Sequence, residues 1–540
     1  MESYDVIIIG GGITGAGTAR DCSMRGLKTL LLERFDFSVG ATGRNHGLLH
    51  SGARYAVANT EGAAECMKEN LILKRIARHC IEDHGGLFLS LPEDDLSYQK
   101  LFVESCRKAG IAVEVIDPKE ALKLEGAANP NIIGAVKVPD ASIDPFRLTT
   151  ANVIDARRHG ADYKTYTQVT ELILSGVRVV GVKTINTKTG EKREYYGKTI
   201  VNAAGIWSHN IARLAEIEIK MCPSKGTLLI FGHRINNVVL NRCRKASDAD
   251  ILVPNDTISI LGTTSQHVSF DEIDNLRVNV EEVDLLLKEG AKLSPRVATT
   301  RIIRTYSGVR PLVANEIGSS GRDISRGYVC IDHKQRDGIE GFITITGGKL
   351  MTYRLMAESV TNMVCRKLGN YMPCQTAIKP LPGSENNVEE IDGLLTFRER
   401  AVKGRHGSMS NAIKKGDKFD NALVCECEQV STAEIKYAIE SLEATNLFDL
   451  RRRTRMGMGP CQGQLCSGRS AGLLSEYCDI QKDPLGNLGS FLNERWQGVF
   501  PIGWGDTLSK VELTTWLYNG VCGLDSYVHK ENIPVDKRIL

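Results

Sequence analysis

The chain has 540 residues, and at roughly 150 residues per domain this length predicts two to four domains. Hydrophobic residues make up 42% and charged residues 25%, which is typical of a soluble globular protein. A net charge of +3 is too balanced to indicate a nucleic-acid-binding protein, so any anion site must be formed locally.

Three features of the sequence bear on the cellular compartment. The first residues, MESYDVIIIGGG, run directly into a predicted strand and lack the basic and apolar regions of a signal peptide. No stretch reaches the roughly 18–20 uninterrupted apolar residues that a membrane helix needs. The 15 cysteines are scattered and odd in number, which favours a reducing compartment over a disulfide framework. We therefore expect any membrane attachment to come through a partner.

A dinucleotide-binding pattern occupies residues 4–33, YDVIIIGGGITGAGTARDCSMRGLKTLLLE. An apolar strand over residues 6–9 leads into three glycines at G-x-G-x-x-G spacing, Gly10, Gly12 and Gly15. A helix over residues 15–25 and a second strand over residues 28–32 follow, and the acid Glu33 ends the pattern. The first glycine permits a tight turn, the second lets the backbone approach a pyrophosphate, and the third lets helix and strand pack closely. The helix N-terminus faces the pyrophosphate charge, and the acid accepts the ribose hydroxyls.

Two later stretches favour FAD over NAD. Residues 199–205, TIVNAAG, predict an apolar strand that ends in small residues, as expected where a distant segment packs beside the first nucleotide turn. Residues 343–354, ITITGGKLMTYR, predict a strand, a Gly-Gly turn and a helix start. A helix N-terminus at that place stabilises negative charge on a reduced isoalloxazine. Either stretch alone is also compatible with an ordinary strand–loop–helix unit.

Residues 40–55, GATGRNHGLLHSGARY, form a loop that is too polar for a core and too compact for a linker. Several of its side chains are suited to anion binding or proton transfer: Arg44, His46, His50, Arg54 and Tyr55. Residues 304–311 contribute Arg304, Tyr306 and Arg310, and Lys349 follows the Gly-Gly turn. Because arginine forks match phosphate or carboxylate, we predict one anion site formed by Arg54, Arg310 and Lys349. Taken singly, each arginine is more often a surface residue.

Downstream, residues 376–420 are dominated by Pro, Gly, Ser, Asn and charged residues, which predicts a linker with one helix. Four cysteines follow in the pattern C-x-C, 33 residues, C-x4-C: Cys425, Cys427, Cys461 and Cys466. Between the pairs we predict a helix capped by Ser431 or Thr432 and a second helix over residues 447–455. Paired cysteines on two loops form a four-thiolate site, and the glycines of GMGPCQGQLC let backbone N–H groups approach sulfur. An iron–sulfur cluster and zinc both suit such a site, although C-x-C is unusual for zinc.

Two further segments concern charge and interfaces. The run RRRTR at 451–455 is suited to balancing a negative cluster or docking a partner, with Arg451 and Arg452 interpreted first as the solvated face of a helix. Residues 479–540 contain Trp496, Trp504 and Trp516. A segment this aromatic indicates packing on the cysteine-rich domain together with an interface.

Six stretches carry a specific family resemblance: GGGITGAG, HSGARY, SKGTLL, LGTTS, YSGVRPL and GGKLMTYR. Over residues 1–375 the chain resembles FAD-dependent glycerol-3-phosphate dehydrogenases, within the wider group of D-amino-acid-oxidase-like flavoproteins. The resemblance implies an α/β fold in which a Rossmann-like FAD-binding domain is interleaved with a β-rich substrate domain. It implies an FAD site formed by Gly10, Gly12, Gly15, Glu33, Arg34, Thr42, Gly43, Val169, Ala204, Gly205, Gly347, Gly348 and Leu350.

The same resemblance assigns the substrate clamp. It places Arg54, Arg310 and Lys349 around the phosphate and hydroxyls of the substrate, with Tyr55 beside them. The implied reaction is dehydrogenation of a secondary alcohol, in which a base takes the hydroxyl proton while a hydride passes to flavin N5. Arg310 and Lys349 hold the reacting carbon and thereby take part in catalysis.

The catalytic base is where the chain departs from its relatives. Aerobic members of the family carry a histidine just after a Lys-Gly pair, whereas Lys225-Gly226 is followed here by Thr227. His50 is therefore the predicted base. The alternative is a histidine that only bonds the backbone near the flavin.

Residues 421–478 resemble the small helical [2Fe–2S] domain of bacterioferritin-associated ferredoxin, which opens with C-x-C. This resemblance implies that the four cysteines ligate a [2Fe–2S] cluster, although the usual second pair is closer together than C-x4-C. The whole chain resembles the anaerobic branch of the family. In that branch the FAD-bearing chain works with two partner subunits. One is a flavin-bearing B subunit, and the other is a membrane-anchoring iron–sulfur C subunit that passes electrons to quinone. The implied location is the cytoplasmic face of the inner membrane, with FMN in the partner complex.

Two other functions stay open at this point. An arginine clamp also fits a carboxylate, so an L-2-hydroxy acid such as 2-hydroxyglutarate is an alternative substrate. The third hypothesis is a flavin-bearing electron-transfer protein that has no substrate of its own.

Overall fold

The computed structural model of the chain describes residues 3–313, 327–385, 396–413, 416, 418–478 and 483–525. The predicted linker, 376–420, and the predicted C-terminal extension, 479–540, therefore lie partly outside the described residues. No helix in the described ranges is long and apolar enough to cross a membrane.

The first layer is an eight-stranded sheet that carries the dinucleotide-binding pattern. Its strands are Ser3–Ile9, Thr29–Leu32, Asp162–Lys164, Thr167–Ser175, Arg178–Asn186, Lys192–Asn202, Tyr328–Asp332 and Phe342–Gly347. The first strand pairs in parallel with Thr29–Leu32 on one side and with Lys192–Asn202 on the other, so segments distant in sequence meet at the same edge. Three helices pack together on this sheet: Ile13–Met24, Pro145–Arg158 and Tyr353–Leu368.

The second layer is a nine-stranded, mainly antiparallel sheet. Its strands are Gly86–Ser90, Glu114–Ile116, Gly134–Val138, Met221–Phe231, Val239–Arg242, Ile251–Asn255, Ile258–Gly262, Gln266–His267 and Ile302–Val313. Strand Met221–Phe231 pairs along its whole length with Ile302–Val313, which brings Ser224 opposite Arg310. Three short strands form a separate small sheet: Leu48–Leu49, Ile81–Glu82 and Ala141–Ile143. The chain passes between the sheets repeatedly, as the interleaved fold requires.

The remaining helices of the flavin-binding part are Thr60–Ile76, Leu96–Lys108, Pro118–Leu124, Ser208–Arg213, Val280–Leu293, Arg296–Thr299 and His333–Asp337. Helix Val280–Leu293 has its apolar face in the core of the second sheet. Two described stretches of the predicted linker are structured. Leu381 is fully buried against the nucleotide layer, and residues Phe397–His406 form the one predicted helix.

The cysteine-rich part has a core of its own. Its elements are strands Leu423–Cys425 and Val430–Ser431 and helices Thr432–Glu440, Leu447–Thr454, Ser467–Tyr477, Pro484–Val499 and Gly505–Thr515. Both predicted helices between the cysteine pairs are confirmed, and Ser431 is the N-cap of the first. Helix Pro484–Val499 belongs to two cores. Leu488 and Phe491 pack in the cysteine-rich core, whereas Trp496 and Val499 pack against the second sheet.

Candidate active site and redox centres

The glycine-rich turn has the geometry that the sequence predicts. Gly10 has a φ of 113°, a left-handed conformation in which an added Cβ would lie 2.6 Å from the carbonyl oxygen of Ala203. A Cβ at Gly15 would lie 1.9 Å from the carbonyl oxygen of Gly10, so only glycine lets the helix start this close to the strand. The helix Ile13–Met24 begins directly after Gly12 and aims its N-terminus at the turn.

A substitution tests this close approach. We expect Gly15→Ala to lower the free energy of unfolding by about 3 kcal/mol or more and to abolish stoichiometric FAD binding, because the new methyl group collides with backbone that has no room to move. Denaturant melts and the flavin absorbance of purified protein measure both effects. Gly126→Ala is the matched control, since a Cβ there meets nothing within 4 Å. Normal FAD content in Gly15→Ala would contradict the assignment.

Glu33 directly follows strand Thr29–Leu32, as predicted, and is half-buried. Its two carboxylate oxygens accept hydrogen bonds from the backbone N–H groups of Gly11, at 2.6 Å, and Phe35, at 2.9 Å. Burial raises the pKa of Glu33, and these two hydrogen bonds oppose that rise. The acid is thereby fixed at the wall of a cavity that Gly10 and Gly12 also line.

A single cavity of about 700 Å³ runs from the glycine turn across the join between the two sheets. All the predicted FAD-site residues line it except Gly15, which packs against the strand, and Gly43, whose Cα faces the carbonyl oxygen of Ser38. Gly43 lies instead on the wall of a second cavity, between the flavin-binding and cysteine-rich parts. The first cavity is partly apolar and has the N-terminus of helix Ile13–Met24 at its wall, where the Ile13 N–H donates to Thr42 Oγ1 at 3.1 Å; this combination suits FAD.

The five predicted substrate residues line the same cavity: His50, Arg54, Tyr55, Arg310 and Lys349. They come from two distant loops and one strand, so their convergence follows from the fold and not from local sequence. Lys349 Nζ lies 4.8 Å from the centre of the Tyr55 ring, and the His50 ring lies 5.4 Å from the same ring. His50 is only 7% exposed, which keeps it at the cavity wall and away from bulk solvent.

The guanidinium of Arg310 is fixed by hydrogen bonds to neighbouring side chains and backbone. Its guanidinium donates to Ser224 Oγ at 3.1 Å, to Thr263 Oγ1 at 2.5 Å and to the carbonyl oxygen of Thr264 at 3.0 Å. It also donates to the carbonyl oxygen of Lys225 at 3.3 Å. These supporting residues were not predicted from the sequence. The SKGTLL and LGTTS stretches contain them, but their roles depend on strand register, which one sequence does not reveal.

Arg54 differs from Arg310 because it forms an ion pair with a known carboxylate. Its Nη2 donates to Asp250 Oδ2 at 2.7 Å, across 196 residues of sequence. Its Nη1 is buried and makes no hydrogen bond in the described part of the chain. A buried guanidinium nitrogen without an acceptor is costly, so Arg54 retains one donor for an anionic ligand in this cavity. No local signal in the sequence points to Asp250.

Thr227, where relatives carry a histidine, is used structurally. Its hydroxyl donates to Glu282 Oε1 at 2.7 Å, and Lys225 Nζ forms an ion pair with the other oxygen of Glu282 at 2.6 Å. Both side chains are therefore directed into a buried polar network and away from the cavity. The position supplies no base in this chain.

The four predicted cluster cysteines come together. Their thiol groups lie within interaction distance in a continuous series, Cys427 beside Cys461, Cys461 beside Cys466 and Cys466 beside Cys425. Hydrogen bonding among these thiols lowers the pKa of Cys425 and Cys461 and raises the pKa of Cys427 and Cys466. Among the described residues no three His, Cys, Asp or Glu side chains surround a single-ion site. Four cysteine thiols supplied by two loops are the ligand set of a [2Fe–2S] cluster.

Backbone N–H groups point at these sulfurs, as the glycines of the second turn predict. Gly457 and Glu428 donate to the Cys425 sulfur, and Gly463 and Leu465 donate to the Cys461 sulfur. Such bonds stabilise negative charge on thiolate and raise the reduction potential of a cluster. Gly463 has a φ of 87°, the left-handed conformation that lets its N–H turn towards the sulfur.

The arginine run 451–455 is not a solvated helix face, and that first interpretation is wrong. Arg451 pairs with Glu494 at 2.8 Å, while Arg452 and Arg453 pair with Asp36 at 3.1 and 2.6 Å. Asp36 lies just beyond Glu33, in the nucleotide layer. Periodicity correctly gives the helix but cannot show that its polar face is covered by another domain.

Comparison with known proteins agrees with this architecture. Residues 5–354 match the family described as FAD dependent oxidoreductase, and residues 423–476 match the BFD-like [2Fe-2S] binding domain. The chain is 56% identical over 529 residues to the A subunit of the anaerobic glycerol-3-phosphate dehydrogenase of Escherichia coli strain K12, covering 97% of this chain and 98% of that one. The chain belongs to this family of FAD-dependent A subunits. It is also 40% identical over 541 residues to the A1 subunit of the Haloferax volcanii enzyme, covering 97% of this chain and 91% of that one.

Solved structures establish the fold of the family member described here. A glycerol-3-phosphate dehydrogenase from Bacillus halodurans complexed with FAD superimposes with a TM-score of 0.67 at 22% identity, over 94% of this chain and 97% of that one. An L-alpha-glycerophosphate oxidase from Mycoplasma pneumoniae with FAD bound gives a TM-score of 0.57 at 20% identity, over 72% of this chain and 100% of that one. The predicted fold class is confirmed. The cofactors of this oxidoreductase are FAD and a [2Fe–2S] cluster, which decides against zinc.

Proposed function

We propose that the chain oxidises sn-glycerol 3-phosphate to dihydroxyacetone phosphate. The observation that carries the proposal is the convergence of Arg54, Arg310 and Lys349 on one cavity with the FAD-binding turn. Three cationic side chains at one cavity wall form a basic site that matches a phosphate ester. The 56% identity with the A subunit of an anaerobic glycerol-3-phosphate dehydrogenase supports the same substrate.

The roles follow from position. Arg310, fixed by its four hydroxyl and carbonyl acceptors, and Arg54 Nη1 bind the phosphate, while Lys349 and Tyr55 orient the hydroxyl groups. His50 accepts the proton of the C2 hydroxyl as the hydride leaves the same carbon, so the alcohol becomes a ketone by losing one proton and two electrons with the hydride. FAD held in the first cavity would supply the hydride acceptor, and a [2Fe–2S] cluster held by Cys425, Cys427, Cys461 and Cys466 would supply one-electron transfer. Enclosure of His50 at the wall keeps water from competing for its proton.

A substrate comparison tests the proposal against its alternatives. The purified chain, loaded with FAD, is assayed anaerobically with an artificial acceptor and either glycerol 3-phosphate or L-2-hydroxyglutarate. We expect turnover with the phosphate ester and none with the hydroxy acid, because Arg54, Arg310 and Lys349 together suit the compact dianion of a phosphate group. The reverse preference would establish the hydroxy-acid alternative. Absence of flavin reduction by either compound would favour an electron-transfer protein with no substrate of its own.

We also propose that electrons leave the cluster for a partner complex. The expected partners are a flavin-bearing B subunit, carrying FMN, and a membrane-anchoring iron–sulfur C subunit linked to quinone, at the cytoplasmic face of the inner membrane. Support comes from apolar side chains exposed near the cluster. Leu465, next to ligand Cys466, is 59% exposed, and the segment 500–521 adds Phe500, Trp504, Leu513, Trp516 and Val521.

Substitution of this exposed apolar segment tests the partner proposal. We expect Trp516→Ser to lower quinone reduction by the assembled complex while leaving glycerol 3-phosphate turnover with an artificial acceptor unchanged, because Trp516 is 69% exposed and supports no core in the described part of the chain. Co-purification of the partner subunits provides a second measurement. Tyr371→Ser is the control, since Tyr371 is an exposed aromatic residue of the flavin-binding part. Equal quinone reduction in both variants would place the interface elsewhere.

A further inference from the structure

We propose that Arg455 and Glu428 are positioning residues that fix the cluster-bearing loops against the flavin-binding part, so that electrons pass from FAD to the cluster. Neither residue is a cluster ligand. The inference rests on the electron route of the proposed function but concerns a different step, the transfer between the two centres within one chain.

Arg455 ties the two parts of the chain together at one buried point. Its Nε lies 2.9 Å from Glu428 Oε2 in the cysteine-rich part and 3.0 Å from Asp256 Oδ2 in the flavin-binding part. Its Nη1 lies 3.1 Å from Asp144 Oδ2 and donates to Asn255 Oδ1 at 3.2 Å. Three carboxylates from separate elements therefore share one guanidinium. Asp144 and Asp256 also pair with Arg147, whereas Arg455 is the residue that joins them to Glu428.

Glu428 makes the second contact across the same boundary. It follows ligand Cys427 directly, and its Oε1 accepts a hydrogen bond from Thr257 Oγ1 at 2.6 Å. Thr257 is in the turn between strands Ile251–Asn255 and Ile258–Gly262 of the second sheet. The carboxylate is thus held from both sides, by Thr257 and by Arg455. A ligand loop is connected through one side chain to the sheet that carries the substrate site.

Both residues are also coupled to cluster sulfur through the backbone. The N–H of Glu428 donates to the Cys425 sulfur. Arg455, at the C-terminal end of helix Leu447–Thr454, has a φ of 66° and begins the turn whose Gly457 N–H donates to the same sulfur. A shift of either side chain therefore moves a donor to Cys425. This is how a distant ion pair sets the position of the cluster.

Apolar packing does not fix these loops by itself. Among the described residues, all members of the cysteine-rich core lie within that part of the chain or its C-terminal helices, and none belongs to the two large sheets. Where the loops face the flavin-binding part there is instead a cavity of about 800 Å³, bounded by Gly457, Met458 and Gln462 on one side. Helix Pro484–Val499 tethers the domains: its Phe491 lies against Gly457 and Gly463 of a ligand loop, and its Trp496, Val499 and Glu494 contact the second sheet. Polar contacts at the cavity act in addition to this packing and fix how the loops face the flavin-binding part.

The same cavity lies between the two redox centres. Val39, Arg44 and Asn45 line both it and the FAD cavity, so they form the wall that separates the two spaces. Loosening the loops on the far side widens the gap that electrons have to cross. Electron transfer is then expected to slow even though FAD and the cluster each stay intact.

The test separates this step from substrate oxidation by reducing the flavin with light and a sacrificial amine donor instead of substrate. In the holoenzyme, flavin bleaching and the electron paramagnetic resonance signal of the reduced cluster are followed in time. We expect Arg455→Met to slow flavin-to-cluster transfer by at least about tenfold, since it removes the ion pair that joins Glu428 to the flavin-binding part, while Asp144 and Asp256 keep their ion pairs with Arg147. Arg455→Lys keeps the positive charge but lacks the planar guanidinium that binds several acceptors at once. It should therefore retain part of the flavin-to-cluster transfer rate. Iron, sulfide and FAD contents stay normal.

The matched control is Arg469→Met. Arg469 pairs with Glu426, which lies between Cys425 and Cys427, but both side chains are exposed and, in the described ranges, bond only within the cysteine-rich part. Its transfer rate should equal that of the unaltered protein. Equal slowing in Arg455→Met and Arg469→Met would show that charge near the cluster matters and domain positioning does not, which would overturn the proposal.

Two further measurements keep the proposal testable if Arg455→Met folds poorly. Thr257→Val removes only the hydrogen bond to Glu428, so a slowing of about two- to fivefold is expected, and an unchanged rate would contradict the proposal. Hydrogen exchange should quicken at residues 457–463 in both variants but not in helix Thr432–Glu440, independently of any turnover. Failure of glycerol 3-phosphate to reduce the flavin, with normal light-driven transfer, would refute the proposed substrate alone.

Discussion

Replacing Arg310 with methionine is expected to lower kcat/KM for glycerol 3-phosphate by about 10²–10³-fold, the cost of truncating one partner of a desolvated charged contact. The guanidinium lies at the cavity wall and is fixed by the uncharged acceptors of Ser224, Thr263 and Thr264. Most of the loss should appear in KM if Arg310 binds the phosphate equally in the ground and transition states, and in kcat if it also orients the reacting carbon. Steady-state kinetics with an artificial acceptor provide the measurement.

Two variants accompany this prediction. Arg310→Lys retains the charge without the fork and should recover part of the activity. Arg234→Met removes an arginine of the same part of the chain that binds Glu82 and lines neither cavity, so its kcat/KM should be close to normal. If Arg310→Met kept normal kinetics while retaining FAD, the anion clamp would be wrong.

Cys461→Ser is expected to remove the [2Fe–2S] cluster while leaving FAD in place. Cys461 contacts two other ligand thiols and receives two backbone N–H bonds, so its sulfur is central to the site. Serine oxygen is a harder and less readily ionised ligand than thiolate. Iron and sulfide analysis should show the loss, and the visible spectrum should reduce to that of flavin alone. Turnover with an acceptor that takes electrons directly from flavin should persist, whereas electron delivery to a partner complex should stop.

Cys478→Ser is the matched control for the cluster. Cys478 is buried in the same core but takes no part in the thiol network of Cys425, Cys427, Cys461 and Cys466. It should keep full iron and sulfide. A normal cluster content in Cys461→Ser would require a different fourth ligand.

Sequence reasoning succeeds here where chemistry is local. The turn Gly10–Gly15, the acid Glu33 and the turn around Cys461 each depend on residues close in sequence, and the structure has them as expected. The interleaved fold came from resemblance, because hydrophobic periodicity gives elements and not the order in which strands join two sheets. The four cysteines could be paired because two short motifs mark both halves of the site.

The contacts that were not predicted depend on how strands pair and on how the domains meet. Asp250, the partner of Arg54, is 196 residues away, and Asp36 meets Arg453 across 417 residues. A charge run on a helix resembles a solvated face until the domain that covers it is seen. Gly43 stands beside Thr42 in sequence yet lines a different cavity, because a short 3-10 turn directs adjacent residues to opposite sides.

The central claim is that one chain takes a hydride from glycerol 3-phosphate and passes the electrons to its own cluster. Its most direct test is anaerobic titration of the holoenzyme with glycerol 3-phosphate, with flavin absorbance and the electron paramagnetic resonance signal recorded on the same sample. We predict bleaching of the flavin together with the signal of a reduced [2Fe–2S] cluster. A flavin that stays oxidised, or one that bleaches while a chemically reducible cluster stays oxidised, would contradict the claim.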